Sequence, residues 1–282
     1  MDSLGREGRA PRVVVLENVY GTLKSHGGRD FAAIGNALAR SGYRFGAVVI
    51  DAVHFVPQSR PRLFIIGVRE DVSVPGMLVS KRAGDAWHPL GVDEAFWKMS
   101  EMARRKWMWW RLPEPPKRES VFSELIEEKP TGIGWHTAVE TERLLRMMSP
   151  LNREKLERAR RTGRRVIGTV YKRTRQNEKG RKVQRAEARF DDVSGCLRTP
   201  VGGSSRQVIL VVEGKRVRSR LMSTREGARL MGLPDSYLLP ENYNEGYHLV
   251  GDGVVVPVVR FLSENLLEPL VAVRKTGKRV AA

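Results

Sequence analysis

The 282 residues include 50 Lys+Arg, 32 Asp+Glu and 41% hydrophobic residues, for a formal charge of +18. That is enough apolar material for one large core or two ordinary ones, and it excludes a disordered chain. The charge excess points to a polyanionic partner, most simply nucleic acid, and says nothing of sequence preference; a ribosome-like or merely solubilising charge is the bland alternative.

Residues 1–75 read as alternating strand and helix. "RVVVLENV" (12–19) is a continuous apolar run of the buried, parallel-sheet kind. "GRDFAAIGNALARSGY" sets Phe31, Ile34 and Leu38 at helical spacing and closes at Gly42. "RFGAVVIDAVHF" and "RLFIIGVRE" are two further strands, so the rhythm predicts a doubly wound α/β layer. From 76 to about 190 the texture changes. All six tryptophans fall here (Trp87, Trp97, Trp107, Trp109, Trp110, Trp135), beside the Pro-rich "RLPEPPKRE". Residues 151–190 hold 15 Lys/Arg and 4 Asp/Glu, a concentration that a solvated face of mixed sign does not explain. "LNREKLERARRTGRR" is helical in pattern, and "VIGTVYKRTRQNEKGRKVQRAEARF" predicts a hairpin turning at Asn177–Gly180.

The last part is ordered again. In "RLMSTREGARLMGLPD", Ser223 and Glu226 make a capping box, and Gly232 and Pro234 end the helix. "GDGVVVPVVRFLSENLLEPLVAV" predicts an apolar helix with Pro257 in its first turns. The one cysteine, Cys196, excludes an internal disulfide and a multi-cysteine metal site, so no metal is expected and a reducing compartment is. "MDSLGREGRAP" lacks the apolar core of a signal peptide, and no apolar run approaches the ~20 residues of a membrane span. A cytoplasmic protein with no membrane partner is the expectation.

Ligands of open α/β sheets bind outside the carboxyl ends of the strands. Glu17 and Asn18 stand at such an end, where a carboxylate is either a cap or turn former or a site residue. In "QSRPRLFIIG", the two-residue alternation of an extended chain puts Gln58, Arg60 and Arg62 on one face, there to pair with acids or to hold an anion or a base edge.

"LENV", "QSRPRLFIIG", "SRLMSTREGARLMGLPD" and "GDGVVVPVV", in this order around a long basic insert, resemble the DNA cytosine-5 methyltransferases. The resemblance implies a partial Rossmann-like methyltransferase sheet over 1–75, a smaller mixed α+β target-recognition domain over 76–218, and a capped and closing helix over 219–282. It implies that cytosine is flipped from double-stranded DNA, attacked at C6 by a thiolate, and methylated at C5 from S-adenosylmethionine. Glu17 matches the carboxyl that donates to cytosine N3, with Asn18 in the same block. Arg62 matches the arginine that holds the base and offsets developing charge, with Arg60 and Gln58 shaping the pocket. The basic insert corresponds to the recognition region, so Lys172, Arg173, Arg175, Arg181 and Lys182 are expected on phosphates. "RTPVGGSSRQ" resembles the loop bordering that region, which would bring Gly203, Ser204, Ser205 and Arg206 to DNA. Gly251, Asp252 and Gly253 resemble a block lining the methyl-donor pocket, with Asp252 a departure from the usual Asn.

The family's nucleophile stands in a Pro-Cys loop, and its donor site in a Gly-rich turn. Neither motif is in these residues, and Cys196 reads as a small buried side chain. The resemblance is therefore to the C-terminal part of such an enzyme, inactive alone: either one half of a split enzyme, partnered by a complementary N-terminal subunit, or a truncated product of a longer or interrupted gene. The strand at 12–16 would then show an open apolar edge. The rival reading is a non-catalytic, sequence-specific DNA-binding protein derived from such an enzyme.

Overall fold

A short helix, α1 (Asp2–Arg6), leads through Pro11 into β1 (Val13–Val19), the strand expected from the first apolar run. The structure is a computed structural model that describes residues 2–84, 86–176, 178, 180–199 and 206–272. Two glycines with positive φ, Gly27 and Gly28, turn the chain into α2 (Arg29–Arg40). Asp30 in its first turn and Arg40 in its last complement the helix dipole. β2 (Tyr43–Asp51) and β3 (Pro61–Arg69) follow.

The sheet order is β1-β3-β2, with β3 antiparallel to both neighbours. The sheet is mixed: β1 and β2 run the same way, and β3 reverses between them. Among the described residues β1 is paired on one side only, and Val15, Leu16 and Val19 are 39%, 38% and 53% exposed. An apolar strand with one open edge is thus what the run 13–19 makes, not a buried one.

Five of the six tryptophans, Trp87 to Trp110, fall in the same unit as this sheet, and only Trp135 goes with the basic insert, which moves the domain boundary expected near 75 to about 116. β4 (Val79–Ser80), α3 (Leu90–Trp97), α4 (Glu101–Arg105) and β5 (Trp109–Trp110) lie before this boundary. Trp107 meets the rings of Phe31 and Phe45 edge-on at 6.1 and 5.3 Å, and Trp110 is fully buried with Nε1 donating to the Ile66 carbonyl. Gly46 is what lets Trp110 in: a Cβ there would meet Met108 O at 1.9 Å. This first unit comprises Met1–Asp51, Pro61–Pro116 and Val258–Ala282.

The second unit comprises Ala52–Arg60 and Lys117–Pro257. Two helices, α5 (Ala138–Arg146) and α6 (Pro150–Arg161), precede a four-stranded antiparallel sheet. Its strands are β6 (Arg165–Gln176), β7 (Lys182–Arg189), β8 (Val208–Glu213) and β9 (Arg216–Leu221), in the order β7-β6-β8-β9. Leu144, Leu145 and Leu156 from the helices close over Val170, Ala186, Leu210 and Val212 to make its core. α7 (Thr224–Leu230) carries the predicted capping box: Ser223 Oγ accepts from Glu226 N, and Glu226 accepts from Ser223 N.

Residues 251–253 end a helix where one was expected to begin. α8 (Tyr243–Asp252) stops there, and α9 (Val256–Leu262) starts afresh with Pro257 in its first turn. A π-helical turn over Ser263–Leu267 then runs into α10 (Glu268–Ala272). No helix among the described residues is long and apolar enough to cross a membrane.

Candidate active site and nucleic-acid surface

In the β1–β3 register Glu17 faces Phe64 and Val19 faces Arg62. Because side chains alternate with period two, Glu17 and Arg62 are diagonal neighbours on one face of the sheet. Arg62 Nε lies 2.8 Å from Glu17 Oε1, with the side chains 15% and 31% exposed. Its Nη1 donates to the Pro61 carbonyl at 3.1 Å, fixing the guanidinium at the strand's start. Asn18 points to the other face, its Oδ1 accepting from Val19 N at 2.8 Å. A cleft of about 600 Å³ opens on that side, between Asn18, Thr22 and Asp30. The Asp30 carboxyl sits below its ordinary pKa because Ser25 and His26 hydrogen-bond it.

A carboxyl and a guanidinium held together at a strand end can donate to and neutralise a polar ring placed against them. The remaining arginine of the "QSRPR" block does something else. Arg60 is 3% exposed and spends its donors on carbonyls: Leu197 O at 2.6 Å, Gly251 O at 2.9 Å and Gly253 O at 2.8 Å. Cys196 Sγ is 3.4 Å from Arg60 Nη1 and donates its own proton to Leu197 O. Gln58 is fully buried, giving Nε2 to Leu230 O and taking Leu197 N on Oε1.

The expectation that Gln58 contacts DNA and that Arg60 lines the base pocket is therefore corrected. Gln58 makes a β-bridge to Ser194, Ser59 donates to Ser194 O, and β3 begins at Pro61. The expected donor block takes part in the same network. Gly251 and Gly253 give their carbonyls to Arg60, and Asp252 takes the Thr199 hydroxyl. Gly251 has no room for a side chain either, since a Cβ would sit 2.9 Å from Thr199 N. Gly251 is buried and Gly253 partly so, whereas Asp252 is exposed.

On the hairpin, Arg173 and Arg175 project from one face of β6, and Lys172 from the other. Arg181 and Lys182 are exposed at its far end. Tyr171 lies under Arg173, 4.7 Å from ring centroid to guanidinium, and burial raises its phenol pKa. Gly203, Ser204 and Ser205 lie outside the described residues. Arg206 donates to Asn244 Oδ1 and rests 5.5 Å over the Tyr243 ring. Beside it, Tyr247 accepts from Gln207 N, and burial pushes its phenol up to about 12.

One node escaped the sequence reading. Arg220 and Glu226 form a fully buried ion pair at 2.5 Å, and the same carboxylate accepts from Ser223 N and Glu127 N. The capping box revealed Glu226's first role, but nothing local betrays a partner six residues upstream on β9.

Known proteins resemble the chain over most of its length. The family model for the C-5 cytosine-specific DNA methylase matches residues 7–268. The type II methyltransferase M.HpaII of Haemophilus parainfluenzae is 24% identical over 280 residues, covering 92% of this chain and 61% of the relative. The type II methyltransferase M.HhaI of Haemophilus parahaemolyticus is 22% identical over 259 residues, covering 92% and 64%. Among solved structures, the S. pombe Dnmt2 methyltransferase superposes with a TM-score of 0.48 at 16% identity, over 92% of this chain and 68% of that one. The chain thus spans less than two thirds of the length of these curated relatives. With 262 of its residues inside one family model, the chain belongs to the C-5 cytosine-specific DNA methylase family.

Proposed function

We propose that this chain supplies the base-binding acid, the guanidinium and the DNA-recognition unit of a DNA cytosine-5 methyltransferase that uses S-adenosylmethionine. The observation that carries the reading is the Glu17–Arg62 pair, 2.8 Å apart on one sheet face at the end of β1. The Glu17 carboxyl engages cytosine N3; Arg62 holds the O2 side and balances charge that grows as the ring gains electrons. Asn18 fixes the backbone at the strand end through its bond to Val19 N. The basic hairpin, with Lys172, Arg181 and Lys182, contacts duplex phosphates.

The thiolate for C6 and the donor-binding turn come from polypeptide outside these residues. Cys196 is unsuited to the first task, being held against Arg60 and the Leu197 carbonyl. The open edge of β1 is where that polypeptide joins the sheet, whether it is part of a longer chain or a separate subunit. The non-catalytic DNA-binding reading shares the hairpin but leaves the Glu17–Arg62 pair without a purpose.

The test is transfer of labelled methyl groups to duplex DNA, with and without a polypeptide carrying the Pro-Cys loop and Gly-rich turn. The expected result is no transfer by the chain alone, transfer on reconstitution, and a loss of about 100-fold or more in turnover for Glu17→Gln. Duplex affinity should change less than about twofold, because the contact strengthens only as the adduct forms. Transfer by the isolated chain, or equal losses of binding and turnover in Glu17→Gln, would refute the assignment.

A further inference from the structure

On one face of the β6–β7 hairpin the register stacks Tyr171 opposite Glu187 and Arg173 opposite Arg185. Two like charges directly across a ladder repel, so this face needs an anion. It has one. The Glu187 carboxylate takes Arg175 Nη2 at 2.5 Å and Nε at 2.7 Å, with Arg173 Nε 3.6 Å away. Glu187 is 21% exposed, its arginines 40% and 50%. This carboxylate lines a cavity of about 520 Å³ whose other charged residues are all cationic: Arg175, Arg185 and Arg189 from the hairpin and Lys155 from α6, among neutral neighbours.

We propose that this cavity is a phosphodiester-binding site, and that Glu187 holds the phosphate's place in the free protein. The proposal rests on the reading that the chain binds DNA. A phosphate matches the demand better than the carboxylate does: it accepts the same bidentate Arg175 contact and has further oxygens for Arg185 and Lys155. When it enters, Arg173 and Arg175 exchange one anion for another. Glu187 therefore lowers affinity for any single phosphate and keeps the hairpin's arginines from pairing elsewhere.

The experiment uses the full chain and a short fluorescein-labelled DNA duplex, titrated over a range of salt. Glu187→Gln should bind roughly two- to fivefold tighter at low salt, with a log–log salt slope steeper by about one. Arg185→Gln should weaken binding and flatten the slope by a similar amount. A second arm uses inorganic phosphate alone. It should raise the melting midpoint of Glu187→Gln more than that of the unmodified chain, and adding Arg185→Gln should remove the surplus. Unchanged or weaker duplex binding by folded Glu187→Gln, with no phosphate surplus, would overturn the site while leaving DNA binding intact. A phosphate surplus without duplex binding would keep the anion site and sink the DNA reading.

Discussion

Arg60 and Arg62 are two residues apart, equally charged, and opposite in use. The first is almost wholly buried and ties three carbonyls of distant segments together. The second sits at the rim of the sheet, paired with an acid that is itself part-exposed. Each buried acceptor stranded by loss of a donor costs about 1–3 kcal/mol, whereas a surface pair is worth about 1 kcal/mol or less. Arg60→Met should therefore destabilise the second unit by about 3 kcal/mol or more in urea denaturation. Arg62→Met should lose less than about 1 kcal/mol, yet abolish methyl transfer in the reconstituted enzyme. Equal stability losses in the two variants would show that the two arginines do not differ as described. The sequence makes both visible as candidates, because charge in an extended segment stands out. It does not separate them, because which carbonyls surround Arg60 is decided by residues about 137 to 193 positions later.

At the scale of elements, local chemistry was sufficient for most of what the chain does. Apolar runs and helical spacing locate β1, α2, β2 and β3, and basic alternation between turn residues locates the β6–β7 hairpin. Sheet order was beyond reach: nothing in 61–69 announces that this strand inserts between β1 and β2. The tryptophan-rich stretch was misplaced for the same reason, since composition marks a boundary but not the side on which it packs. α7 shows both limits at once. Its capping box is legible, but its buried ion pair with Arg220 on β9 is not. That pair makes a sharp prediction. Glu226→Gln leaves a guanidinium buried without its counter-charge, a loss of about 3–5 kcal/mol. Replacing both partners, as Arg220→Met with Glu226→Leu, removes the uncompensated charge and should lose less than the single change. Guanidinium-chloride midpoints for the two variants decide it: a double variant weaker than Glu226→Gln would mean the pair is net stabilising.

For the molecule as a whole, the charge of +18 and the open edge of β1 pull in different directions. Net charge keeps copies apart through long-range repulsion, which salt screens over about 10 Å at 0.1 M. The edge acts only at contact, offering unpaired backbone groups flanked by Val15, Leu16 and Val19. Self-association of the isolated chain should therefore rise with salt, the reverse of its binding to DNA. A single lysine on the edge separates the two effects. Val15→Lys places a charge on a part-exposed position, so its cost in stability should stay below about 1 kcal/mol. It should hold the chain monomeric in sedimentation velocity at salt concentrations where the unmodified chain associates. The same variant should also weaken rescue of methyl transfer by the added polypeptide, because both events use that edge. Glu17→Gln, which leaves the backbone edge untouched, should alter turnover and not association. If Val15→Lys associates as before and is rescued as well as the unmodified chain, the edge of β1 is not the surface through which the catalytic sheet is completed.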